Sequence, residues 1–251
     1  PQITSLTNDQ INALEVSLPS LTPVQIQALT VAQLKSIAPE NLTLMTGQQF
    51  RSLTSTQLRG LTFDQVLALT TDNINALLPT QLAGFSTDQI YTLNTDQIAA
   101  ISSAQINGLS VAQIRAMKLN QIAAINTAAI SGISASQLQS LSSNQLNNLS
   151  SDQIVALTTK QLPSLKPAQV ASLDTDHIQM LSSTQIASLT AIQIKALGTR
   201  QINAIDPTEI SAMSLDQVRA LLPGQVTSLL TDQIAALTSK QLQAFNSTQL
   251  R

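Results

Sequence analysis

The side chains in this sequence with most scope for chemistry are one histidine and a recurring set of carboxylates. His177 is the sole histidine among 251 residues and cysteine is absent, so nucleophilic triads and the usual metal-ligand sets lack parts. Asp174 and Asp176 flank it in "LDTDHIQM". Nine of the eleven aspartates fall at one position of a short repeat, and a carboxylate ladder of that kind is calcium chemistry in principle. Lys160, Arg200, Lys240 and several Ser or Thr interrupt the ladder at the same position. Glu209 stands in "DPTE", which reads as the acidic form of a helix-capping box. No residue is therefore expected to be catalytic, cofactor-binding or metal-ligating, and the chain is not expected to be an enzyme or to carry a cofactor.

What must position these residues is an eight-letter word. From residue 21 to residue 251 the chain is twenty-eight full copies and one truncated copy, without insertion or deletion. Numbered from its leucine, the word has an apolar slot one, Thr or Ser at slot two and polar slots three and four. Gln follows at slot five, Ile, Leu or Val at slot six, a variable slot seven and a small slot eight. Slot five is Gln in twenty-four of twenty-nine copies, and slot six is apolar in every copy.

Thr-x-x-Gln is a capping box, in which the cap oxygen accepts from the N3 backbone N–H while the N3 side chain returns to the cap N–H. Each word thus contains a helix start. Six of nine prolines (Pro23, Pro39, Pro79, Pro167, Pro207, Pro223) occupy slot three, the first helical position, where a missing N–H costs nothing. The slot-four aspartates lie at N2 and seven of twelve basic residues (Lys35, Arg51, Arg59, Arg115, Lys195, Arg219, Arg251) at slot seven, which is the charge order a helix dipole favours. His177 and Glu209 both stand at slot five, so each is expected to substitute for the capping Gln.

A start every eight residues forbids one long helix, because eight steps of about 100° rotate the apolar stripe by roughly 80° per word. The expected fold is all-α, a solenoid or superhelix of short, about six-residue helices, one per repeat, running from slot three to slot eight with a corner at slots one and two. Slot six and the next slot one are three apart and form the core pair. A β-solenoid fits poorly, since slots one and six have opposite parity and four of seven glycines sit at slot eight, away from a corner. One word cannot fold alone, because ordering eight backbones costs more than burying two aliphatic side chains returns, so stability must come from stacking.

Residues 1–20 form an irregular start, with a good word at 6–13 and a shortened one at 14–20, followed by a continuous array over 21–251. The off-frame "PQITS" and the mid-word "FNSTQLR" look like the ends of an excerpt from a longer array. A longer recurrence overlies the word: "VAQLK", "VAQIR" and "AIQIK" begin at Val31, Val111 and Ala191, eighty residues apart, either by duplication of ten words or by a larger turn.

Composition narrows the partners. With 10% charged residues and a net charge of −2, the chain has no electrostatic footprint for nucleic acid or an anionic membrane. With 43% hydrophobic and 2% aromatic residues, the core must be Leu, Ile, Val and Ala in many similar layers. No run approaches eighteen apolar residues and no basic-then-apolar leader is present, so no membrane insertion is expected.

At "LTPVQIQAL" the sequence resembles the octapeptide-repeat (LTxxQIxA) regions of large bacterial exported or cell-surface, adhesin-like proteins. Its Leu-Thr/Ser-x-x-Gln-Leu rhythm is more distantly similar to the superhelical repeats of the mesothelin and stereocilin group. The same nine residues match the opening of a plant-pathogen transcription-activator-like effector repeat, but the thirty-four-residue period and the basic charge of those repeats are missing. The first resemblance implies an extracellular or cell-surface location in bacteria and a structural role, as an extended stalk or self-associating fibre element. A protein- or peptide-binding solenoid is the alternative.

Apolar residues at slots meant for water mark possible contacts. Phe63, Val111, Leu119, Ile192 and Leu215 at slots three and four, with Leu67 and Tyr91 at slot seven, are candidates for packing on a neighbouring turn or for lateral contact between arrays. No terminal word replaces its core slots by polar residues, as a capping repeat would. Leu6 and Ile11 at one end and Phe245 and Leu250 at the other are thus candidates for end-to-end contact, the expected partner being a second copy or further repeats.

Overall fold

The computed structural model describes residues 2–250; Arg251, one of the slot-seven basic residues, lies outside the described residues. The described chain contains twenty-eight α-helices of four to six residues and three 3-10 segments, with no strand. It forms two compact units, Pro1–Ile133 and Ser134–Arg251, each a solenoid of the same word.

The word determines the local structure as its slots require. In the helix Phe63–Ala68 the chain enters through Thr62, extended at φ −70° and ψ 163°, and leaves through Leu69, again extended at ψ 132°. Two extended residues, slots one and two, therefore make the corner between consecutive helices. All six slot-three prolines are the first residue of a helix. Pro163, at slot seven, is the exception that shows the rule. Its ring removes a helical N–H in mid-helix, and that word closes as the 3-10 segment Leu162–Ser164 instead.

Within each unit the corners turn the chain so that a helix packs on the third element after it. In the first unit Gly47–Ser52 lies on Thr71–Ala76 and Pro79–Leu82 on Ser103–Gly108; in the second, Pro167–Ala171 lies on Ala191–Ala196. The core is the pair expected from spacing. Slot-six residues Leu58, Val66, Ile74 and Leu82 are fully buried at 0% exposure, and slot-one residues Leu53, Leu61, Leu69 and Leu77 are at 3–4%.

Slot eight is small because slot three of the preceding turn, 29 residues back, lies against it. A Cβ on Gly84 would stand 2.7 Å from the Ser55 Cβ and one on Gly108 3.0 Å from the Pro79 carbonyl oxygen, while on Gly132 it would fall on the Ser103 carbonyl. The shortened word at 14–20 breaks the pattern, as its missing residue requires. It forms the 3-10 segment Glu15–Ser20, and Glu15 is the one described non-glycine residue with a positive φ, 36°.

Candidate functional site

The repeated polar centre of this molecule is the slot-five glutamine, and it does two things. Its Oε1 completes the capping box. In the helix Thr95–Ala99, Gln97 Oε1 accepts from Asn94 N–H at 2.9 Å while Asn94 Oδ1 accepts from Gln97 N–H at 2.9 Å. Where the cap residue cannot reciprocate, the glutamine half persists, as for Leu78 N–H on Gln81 Oε1 at 2.8 Å.

Its Nε2 reaches back a full turn of the solenoid. Gln97 Nε2 donates to the carbonyls of Val66 (2.9 Å), Leu67 (3.2 Å) and Leu69 (2.7 Å), 31, 30 and 28 residues earlier. Those carbonyls end a helix, where among the described residues only the Val66 carbonyl has a backbone donor, the Leu69 N–H at 3.3 Å. The same clasp recurs in the second unit, where Gln217 Nε2 donates to Ile186 (2.8 Å) and Leu189 (2.7 Å). The glutamines are buried, Gln97 at 1% and Gln217 at 2%, so each amide satisfies one helix start and one helix end away from water. The frame slip is absorbed here too: Gln33 finds Ile3 and Leu6, 30 and 27 residues back, which are the carbonyls equivalent in place.

The five words without Gln show which half of the job is hard to replace. Ala129 has no amide, and the cap residue Asn126 takes over, its Nδ2 donating to Ala99 and Ile101 at 2.8 Å each. At Asn41 the cap N–H of Ala38 is met by Asn12 Oδ1 at 3.1 Å. The shorter Asn73 keeps the box and reaches Met45 O at 3.5 Å. Glu209 corrects the sequence expectation, because no acidic capping box forms. Its carboxylate is half-exposed and accepts from Ser183 Oγ at 3.1 Å, and the Asp206 cap accepts from Thr208 N–H at 2.9 Å. A carboxylate has no proton to offer the carbonyls that a glutamine faces. Thr208, through its hydroxyl and its N–H, holds the Asp206 carboxyl below its ordinary range.

His177 is the fifth substitute, and it replaces the inter-turn donor while no capping box forms. The ring is buried, with Nε2 2.9 Å from Leu149 O, 28 residues back. Nδ1 lies 2.9 Å from Asp174 Oδ1 without forming an aligned hydrogen bond, and the cap Asp174 accepts from His177 N–H at 3.0 Å. His177→Gln is expected to be silent or to stabilise by up to about 1 kcal/mol, since it restores both halves of the motif. Thermal melts with a test for bound metal check this, and a metal or an activity lost with the fold intact would contradict it. Among the described residues no three His, Asp or Glu side chains gather into a metal-holding group.

Slot seven contributes a forward contact beyond its dipole role. Arg51 Nε donates to Ala76 O at 2.9 Å and Arg59 Nε to Gly84 O at 3.2 Å, each 25 residues ahead. Asn107 and Gln139 make the equivalent bond to Gly132 O and Ser164 O at 2.8 and 2.7 Å.

Of the residues singled out for lateral contact, Phe63 (54% exposed) and Leu67 (49%) share one helix, and Tyr91 (51%) carries Lys118 Nζ 4.1 Å above its ring, beside Leu119. Val111 is less exposed, and Ile192 (67%) and Leu215 (36%) lie in the second unit. Val24, Leu78, Val155, Met180, Leu222 and Leu230 are exposed as well; each stands outside the core slots, which is the signal that would have included them. Among the candidates for end contact, Leu250 is 66% exposed and Leu6 and Phe245 are half-buried, whereas Ile11 is fully buried in its own unit.

The ALTTAQ repeat family matches residues 45–79, 122–159 and 131–167, together less than half of the chain. Its six letters differ in one place from "ALTTKQ" at residues 156–161, which spans slots eight to five. No curated protein matches the chain. Over those stretches the chain is similar to the ALTTAQ repeat, and throughout it is a helical repeat protein.

Proposed function

We propose that this chain is a structural repeat segment whose turns add to one another by two complementary faces, serving as an extended stalk or a self-associating fibre element of a secreted or bacterial cell-surface protein. The observation that carries the reading is the clasp itself, which joins turn to turn by equivalent carbonyls in both units, Gln97 Nε2 on Val66 and Leu69 and Gln217 Nε2 on Ile186 and Leu189. Slot-six residues are at 0–1% exposure through the interior, and Ile234, Leu242 and Leu250 are 39%, 45% and 66% exposed. At the other end Gln10 and Gln25 form their boxes, and neither makes an inter-turn bond among the described residues. Within each unit a turn donates to the turn before it and accepts from the turn after it, so further words of the same kind add with the contacts used inside.

The location outside the cell rests on the resemblance to exported octapeptide-repeat proteins. Among the described residues no helix is long and apolar enough to cross a membrane. The reading assigns no catalysis, because the buried polar groups are engaged in holding turns together.

Sedimentation velocity over a wide concentration range tests the self-association. Head-to-tail growth is expected, because a heterologous contact propagates unless its rotation closes a ring. Leu242→Glu with Leu250→Glu should abolish it. A monomer at every concentration would contradict the fibre role and leave the stalk.

A further inference from the structure

The repeat leaves a surface groove that returns along the array. In the first unit a groove of about 300 Å³ is lined by Lys35, Arg59, Phe63 and Ser86 together with Gly60 and Leu61. In the second unit a groove of about 380 Å³ has Lys195 and Arg219 at the equivalent places, 160 residues on, with Ile192 and Leu222 beside them. The two grooves thus carry a Lys and an Arg at the same two slot-seven positions, 24 residues apart, one pair in each unit.

The fold alone does not ask for that pair. A further copy of the groove, 24 residues along from the first, has Arg59 and Ala83 at its two slot-seven positions. Each cation singly is favoured at the end of its helix, but two cations in one groove repel. Lys35 and Arg59 have no carboxylate within ion-pair distance among the described residues, and Arg219 has only Asp216 of its own helix at 3.1 Å, both side chains largely exposed. Apolar surface stands next to each pair: Phe63 is 54% exposed, Ile192 67% and Leu222 42%.

We propose that the two grooves dock a short acidic peptide segment of a partner protein. A carboxylate lies between the Lys and the Arg, and an adjacent apolar side chain packs on Phe63 in one groove and on Ile192 and Leu222 in the other. Two cations ask for an anion, and the exposed apolar residues ask for a ligand that is more than an anion. A polyanion such as nucleic acid would meet the aspartates at slot four of so many words and a chain of net charge −2, which disfavours it. This inference is independent of the self-association above, since none of these cations lies in an outer-layer core slot.

The test is fluorescence anisotropy with a labelled hexapeptide alternating leucine and glutamate, its leucine–glutamine counterpart, and inorganic phosphate as competitor. Lys35→Gln with Arg59→Gln removes the charge of one groove, and Lys195→Gln with Arg219→Gln that of the other. Glutamine at slot seven is native to the array, and Gln139 makes the forward carbonyl bond that Arg59 makes, so the variants keep the fold, which circular dichroism verifies. Two sites are expected for the glutamate peptide. Each double variant should lose one of them by roughly tenfold or more in Kd, and high salt should weaken both. Absence of saturable binding, equal binding of the glutamine peptide, or unchanged binding by the variant lacking all four cations would overturn the proposal. Displacement by phosphate at the peptide's own concentration would likewise overturn it, by showing a general anion site.

Discussion

Removing Gln97 alone should be far more damaging than removing the whole word at residues 93–100 that contains it. Deleting the word takes out one corner, one helix, one core pair and one clasp together, and the words on either side meet in the same frame. The expected result is a folded, shorter array with a stability loss of about 1–2 kcal/mol. Deleting the single residue turns the rest of its own word by about 100° relative to the helix start and leaves that word one residue short of the frame. Ile98 leaves the core, and the helix Thr95–Ala99 loses its box and its three carbonyl contacts. A loss of about 4 kcal/mol or more, or failure to fold, is expected. The chain contains its own precedent: where a word is one residue short, at 14–20, the α-helix is replaced by a 3-10 segment and Glu15 is forced to positive φ. Urea unfolding of the two deletions compares them directly, and equal midpoints would show that the eight-residue frame is not what the turns read.

The parts of this fold that were legible in the sequence are those governed by neighbours within one word. Thr62 and Gln65 are three apart, so their box follows from spacing; Val66 and Leu69 are three apart, so their burial follows as well. What joins one turn to the next was not legible, because a period of eight says nothing about how many words make a turn. The contacts at 25, 28, 29 and 31 residues depend on the angle of the corner at slots one and two, where two extended residues are compatible with many turn sizes. Hence slot eight was read as small without its partner being known, and that partner is slot three of the preceding turn.

The sequence itself carries one signal of the clasp. A capping box accepts Glu as well as Gln at N3, yet this chain has twenty-four Gln and one Glu at that slot. Such a bias means that the amide nitrogen is needed, hence that something accepts from it. The exceptions agree: Asn126 and His177 supply a donor by another route, and Glu209, which cannot, is turned toward Ser183. Ile11 is buried, and not at an open end, for a related reason. The sequence treats all slot-six residues alike, while the structure covers Ile11 with the helix Val31–Ser36 and leaves Ile234 and Leu242 bare.

The central claim is that glutamine holds each turn to the one before it, over and above capping its own helix, and Gln97→Glu set beside Gln25→Glu measures that difference. Both residues form the same box, Gln97 with Asn94 and Gln25 with Thr22 N–H at 2.8 Å, and glutamate serves that box equally well. Gln25 makes no inter-turn bond among the described residues, so its replacement should change stability by less than about 0.5 kcal/mol. At position 97 the new carboxylate is buried against the carbonyl oxygens of Val66, Leu67 and Leu69 with no proton to give them. The account predicts a loss of about 3 kcal/mol or more by urea unfolding near neutral pH, partly recovered on acidification as the carboxyl becomes a donor. If the two substitutions shift the unfolding midpoint equally little, the glutamine is a helix cap and nothing more, and the clasp is refuted.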